Sequence, residues 1–262
     1  MTDLAEAQVK EMFGKEGIDF GQIIVLNLPA KDFVGFVCSK YSILDYEQFE
    51  GFQPLLYLDP DIVIDRPIEP MLAAVASSGR ICAPAEGWNQ VHHHVPVGAS
   101  LLRMDNVECR FMPGLNGGTI GFPALDTPDV RNTIERIRRT IACLGRRFGR
   151  TFNGWADQEA MNYVAIKTDS FDSTTITPFV THYVPSTETL GGPRGLVHFW
   201  GRTSTGKADA MANYVRSLKE HGVATAQDAH VNSGPLLYSS DDLSRGQPAL
   251  PVLKLSDDET SS

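Results

Sequence analysis

Apolar residues recur at helical spacing over Asp3–Phe13 (Leu4, Ala7, Val9, Met12, Phe13), and Gly14 and Gly17 close that segment. Gly21–Leu26 reads as a strand ended by Asn27 and Pro29, and Phe33–Leu44 as helical in part. The short apolar run Leu55–Leu58 predicts a strand buried on both faces, as in the sheet of an α/β protein. Pro60 lacks an N–H and cannot extend the ladder, so this strand stops at Asp59 and Asp61. A short helix opened by proline is predicted for Pro70–Ala76, and a short strand for Arg80–Ala83.

Glu86–Asn106 shows no period and reads as a long loop, a kind of segment that often carries function. Gly114–Phe122 is a glycine-rich turn feeding a short strand. The clearest helix is Pro128–Phe148, with Val130, Ile134, Ile137, Ile141, Leu144 and Phe148 on one face and Asp126, Thr127 and Asp129 at its start. A second helix opens at Trp155 with an acidic first turn that complements the macrodipole. Phe171–Pro185 is polar and β-prone, and Gly195–Gly201 is a last buried strand ending in a turn. Lys207–Glu220 is amphipathic (Met211, Tyr214, Val215, Leu218) and is followed by Gly222. Beyond Asp228 the pattern fades into a polar, acidic tail. Strands and helices alternate without an internal repeat, which predicts one α/β domain over residues 1–228 and a partly disordered tail over 229–262.

Composition narrows the function classes. Hydrophobic residues make up 42% and charged residues 21%, as in an ordinary soluble globular protein. No apolar run is long enough for a transmembrane segment, and the N-terminus lacks a signal-peptide core. A net charge of −9 argues against nucleic acid as the partner and suits a site that gathers cations. Cys38, Cys82, Cys109 and Cys143 are widely spaced with no paired motif, which predicts reduced, buried thiols in a cytoplasmic protein.

Two carboxylates, Asp59 and Asp61, stand at a strand's carboxyl end, where open α/β sheets bind ligands. Facing one way, they suit a divalent cation that bridges phosphate oxygens. An Asp-Pro turn with no further role is the plain alternative. His198 closes another apolar strand, where a neutral imidazole can complete a site of mixed oxygen and nitrogen ligands or simply pack against backbone. Asp157-Gln158 starts a helix, and Asn116 lies in a glycine-rich turn, positions such residues also take for local reasons.

The order of these segments resembles glycosyltransferase family 8, enzymes of the GT-A fold. The matching segments are Lys40, then Phe52–Asp61 with its Tyr57-Leu58-Asp59-Pro60-Asp61, Leu115–Phe122, Asp157–Asn162 and Val197–Gly201. The likeness covers about Lys40 to Lys207. It implies a single open mixed sheet flanked by helices, with a shortened nucleotide-binding half ahead of Asp59. It also implies a glycosyltransferase that takes a sugar from a nucleoside diphosphate sugar, UDP-sugars favoured, to a glycan, lipid or protein acceptor.

By the same resemblance Asp59, Asp61 and His198 would ligate Mn²⁺ (or Mg²⁺) on the donor diphosphate. Asn116, Asp157 and Gln158 would contact the donor sugar, Asp157 and Gln158 as the catalytic pair, and Gly117 would belong to the donor-binding set. Lys40 would lie near the donor, and Gly201 and Lys207 near the phosphates. The anomeric configuration would be retained, either by attack on the leaving-group face or through a covalent intermediate on Asp157 or a neighbour. The rival reading is a non-catalytic or partner-completed GT-A-like domain. A metal-dependent hydrolase or nucleotidyltransferase also fits Asp59, Asp61 and His198 taken alone. A cytoplasmic location is expected, with peripheral placement at the inner membrane surface and homo-oligomerisation compatible with it.

Two further features are read as surface. Three successive histidines, His92-His93-His94, cannot share one face and suggest an exposed loop, with acceptor contact as the alternative. Arg131, Arg136, Arg138, Arg139, Arg146, Arg147 and Arg150 mark a solvated helix face, with docking to an anionic membrane or acidic glycan as the alternative.

Overall fold

The structure is a computed structural model, and it describes residues 6–15, 33–49, 51–90, 98–107, 113–148, 156–182, 195–199 and 206–221. The predicted strand Gly21–Leu26, the histidine run, Gly201 and the tail lie outside these residues.

A four-stranded mixed sheet takes the order β1 (Leu55–Leu58), β6 (Thr119–Phe122), β3 (Ile81–Cys82), β7 (Phe171–Asp172). β6 runs antiparallel to both neighbours, and β3 and β7 are parallel. Side chains alternate across this sheet with the period of two that a strand imposes. Leu55, Tyr57, Ile81, Ile120 and Phe122 join one apolar cluster. Leu56, Leu58 and Cys82 join another.

The first cluster is closed by α5 (Pro128–Phe148) and α6 (Ala156–Thr168). Val130, Ile134, Ile137 and Leu144 are buried along α5, as its apolar stripe predicts. On its opposite side Arg136, Arg139 and Arg146 are exposed, and Arg138 pairs with Asp45 at 2.9 Å and Glu135 at 3.1 Å. The second cluster is closed by α3 (Glu69–Ser78), whose Met71 and Val75 are fully buried. Gly121 lets α3 come this close, since a Cβ there would stand 2.6 Å from Val75 Cγ2.

Three corrections follow. The described strands form three sheets where one was expected. β2 (Ile62–Ile64), β9 (Leu196–His198) and β8 (Val180–His182) make a three-stranded sheet, and β4 (Ala85–Gln90) pairs with β5 (Pro113–Leu115). The chain leaves the first sheet for the second at the Asp59–Asp61 corner, which is why one strand run serves both. Second, β1 is only half-buried along its length, because β6 is its one partner among the described residues. Third, Glu86–Asn106 is not wholly a loop: it contains most of β4 and the helix α4 (Ala99–Met104). β4 carries an irregularity between Glu86 and Gln90 that erases its alternation, and α4 spans only six residues, too few to reveal a helical period.

Along the remaining chain, α1 spans Glu6–Lys15 and α2 Phe33–Cys38, the latter running into a 3₁₀ segment at Ser39–Asp45. The last described helix, α7 (Lys207–His221), lays Ala210, Met211, Tyr214 and Val215 on Val63, Val197 and Phe199. Cys38, Cys82 and Cys143 form no disulfide, Cys82 being buried and the other two half-buried. No helix among the described residues is long and apolar enough to cross a membrane.

Candidate metal centre

Asp59 is the residue at which β1 stops. Its N–H donates to Gly118 O at 2.8 Å, one step beyond the β1–β6 register, and its own carbonyl accepts from Ile62 N at 3.2 Å around Pro60. That tight turn returns the chain at Asp61, whose carbonyl accepts from Phe199 N at 2.9 Å. Since Ile62 pairs with His198, the turn and the end of β9 are fastened together. Backbone pairing thus brings three separate side chains to one point. Asp59, Asp61 and His198 each offer a ligand atom within 4.8 Å of the others.

Gly118 forms the floor. A Cβ there would stand 2.5 Å from His198 Cε1 and 2.9 Å from Asp59 Oδ2, so the two groups converge over a residue with no side chain. His198 Nε2 lies 3.2 Å from Asp61 Oδ1, and that oxygen is buried. An imidazole nitrogen and a carboxylate oxygen gathered this way, beside a second carboxylate, form a group that could hold a metal ion with mixed oxygen and nitrogen ligands.

The other carboxylate oxygens are spoken for. Asp59 Oδ1 accepts from Tyr57 Oη at 2.5 Å and lies 3.8 Å from Lys40 Nζ. Asp61 Oδ2 accepts from Lys207 Nζ at 2.6 Å. Burial pushes the Asp61 carboxyl up, but His198 and Lys207 beside it outweigh that and hold it at about 2. Burial and the neighbouring Asp59 drive the Tyr57 phenol far above its usual range, so it remains a donor.

A second group adjoins the first. Lys40, only 3% exposed, donates to Gly117 O at 2.8 Å, pairs with Asp157 Oδ2 at 2.7 Å and lies 4.8 Å from the centre of the Tyr57 ring. It joins the metal-side carboxylate Asp59 to the α6 carboxylate Asp157. Gln158 Oε1 accepts from Gly117 N at 3.2 Å, and Asn116 Oδ1 accepts from Gly118 N at 2.8 Å. Asn162 locks α6 to the turn, exchanging hydrogen bonds of 2.7 and 2.9 Å with the backbone of Leu115.

The structure therefore brings Lys40, Asp59, Asp61, Asn116, Gly117, Asp157, Gln158, His198 and Lys207 into one connected network. Lys207, expected to be available for phosphates, stands on Asp61 instead.

Three participants escaped the sequence reading: Tyr57, Asn162 and Glu86. Glu86 is 4% exposed and accepts from Asn116 Nδ2 and, at 3.2 Å, from Gln158 Nε2, so it fixes how both amides are turned. A signal for it existed, an acid just beyond the apolar run Arg80–Ala83, the placement that drew attention to Asp59. Compared with known protein families, with curated proteins and with solved structures, the chain matches none.

Proposed function

We propose that this chain is a metal-dependent glycosyltransferase of GT-A-like architecture, which takes a sugar from a nucleoside diphosphate sugar, UDP-sugars favoured, to an acceptor hydroxyl. The observation that carries the reading is the convergence just described. Segments around residues 40, 59, 116, 157 and 198, far apart in the chain, meet in one network of hydrogen bonds, ion pairs and neighbouring ligand-type atoms.

The two halves of that network suit the two halves of such a donor. Asp59, Asp61 and His198 would hold Mn²⁺ or Mg²⁺, which supplies positive charge to the diphosphate as it leaves. Asp157, Gln158 and Asn116 line the adjoining side with acceptors and donors suited to sugar hydroxyls. Their orientations are set in advance by Glu86, Lys40 and Asn162, which is how a site limits reorganisation during reaction.

A hydrolase or nucleotidyltransferase acting on a diphosphate needs only the metal half. Product analysis separates the two. Incubation with radiolabelled UDP-hexoses and Mn²⁺ should yield UDP together with free or transferred sugar, and Asp59→Asn should abolish it. Release of a sugar phosphate would overturn the transferase reading in favour of cleavage within the phosphates.

A further inference from the structure

We infer that Lys207 is a built-in competitor for the metal site: its ammonium stands on Asp61 Oδ2, beside the oxygen that would face the cation, and must turn away when a divalent ion binds. The inference rests on Asp59, Asp61 and His198 being the metal ligands. Its basis is the contrast between the two lysines that touch this cluster. Lys40 is held by Asp157, Gly117 O and the Tyr57 ring, and its side chain is buried, at 3% exposed. Among the described residues Lys207 has one partner, Asp61 Oδ2 at 2.6 Å, and its side chain is 29% exposed.

α7 does not depend on this contact. Tyr214 Oη donates to Asp65 Oδ2 at 2.7 Å, the Tyr214 ring meets Phe199 edge-on at 5.7 Å, and Met211 and Val215 pack on Val63 and Val197. The helix stays docked while its first side chain is free to turn away.

A divalent ion on Asp61 would stand within a few ångströms of the Lys207 ammonium. Two cations on one carboxylate repel strongly in a partly buried site, so the weaker ligand gives way. Lys207 thereby lowers the affinity for metal alone. Once displaced, its ammonium is positioned beside the new cation, where an arriving anion such as a diphosphate gives it a partner again. Metal and anionic ligand then favour each other through a single side chain, an order of events in which the metal is best held when the diphosphate comes with it.

Two measurements test this on the full chain, with MnCl₂ as the only ligand. In calorimetric titration Lys207→Met should bind Mn²⁺ at least about tenfold more tightly than wild type, a typical coupling between interacting sites, and Lys207→Arg should stay near wild type. In wild type, acetylation of amines read by mass spectrometry should rise several-fold at Lys207 on saturation with Mn²⁺, while Lys40 stays unlabelled. This second readout needs no variant and stands even if Lys207→Met folds poorly. Equal Mn²⁺ affinities, or unchanged labelling of Lys207 in metal-saturated protein, would overturn the inference and leave the metal site standing. Absence of Mn²⁺ binding in wild type and variant alike would overturn the site itself, and the inference with it.

Discussion

At the scale of single residues the site is made of groups whose neighbours leave them few choices. Gly118 is the sharpest case, because a methyl there meets two of the three candidate ligand residues, His198 Cε1 at 2.5 Å and Asp59 Oδ2 at 2.9 Å. Gly118→Ala should therefore weaken Mn²⁺ binding by at least about tenfold, at a stability cost of about 1–3 kcal/mol for the overpacking. Calorimetry and thermal denaturation check both parts. Tyr57→Phe should also weaken Mn²⁺ binding, by about 10-fold or more, since it removes the donor that orients Asp59.

Glu159 supports a prediction of another kind. Burial raises its carboxyl to about 7, from an ordinary value of 4.5, and the folded state therefore binds its proton more tightly than the unfolded chain does. The stability this contributes is full below pH 4.5 and is lost as pH rises through 7. Between those values the wild type should lose on the order of 3 kcal/mol relative to Glu159→Gln. Urea titrations of both proteins across that range would show parallel curves if the assignment were wrong.

Much of this level was open to sequence reading. Asp59, Asp61, Asn116, Asp157, Gln158 and His198 stand in short local motifs whose order carries information. Glu86 was passed over although it stands just beyond an apolar run, because its role depends on pairing with a strand about thirty residues away.

At the scale of elements, legibility followed period and length. α5 runs 21 residues with a sustained apolar stripe, and its predicted bounds coincide with those observed. α6 was found through its acidic first turn rather than through amphipathicity, since it is buried nearly all round. β4, β5 and α4 were missed or merged into loops, β4 because an irregularity breaks its alternation and the other two because they are too short to display a period. The division into separate sheets was equally hidden, as it depends on the turn at Pro60 swinging the chain from β6 to β9. The crossing of α3 over β6 gives a prediction at this level. Gly121→Ala places a Cβ 2.6 Å from Val75 Cγ2 and should destabilise the fold by about 1–3 kcal/mol. Combined with Val75→Ala, the two substitutions should cost less than the sum of each alone, a non-additivity that denaturant unfolding measures directly.

At the scale of the whole molecule, the corner Asp59–Pro60–Asp61 is where a four-stranded and a three-stranded sheet are joined by one short turn. The carboxyl end of β1, the glycine turn before β6, the start of α6 and the end of β9 all open onto that corner. A net charge of −9 adds a background field that favours cations over free anions, so the donor proposed above would be received best together with a metal ion.

The central claim, a nucleoside diphosphate site built on this corner, is most directly tested by calorimetric titration of the purified chain with UDP, with and without Mn²⁺, repeated on Asp59→Asn. The account predicts binding that requires Mn²⁺ and is lost in the variant while its fold is retained. No binding of UDP or other nucleoside diphosphates by wild type in the presence of Mn²⁺, or undiminished binding by a folded Asp59→Asn, would contradict it.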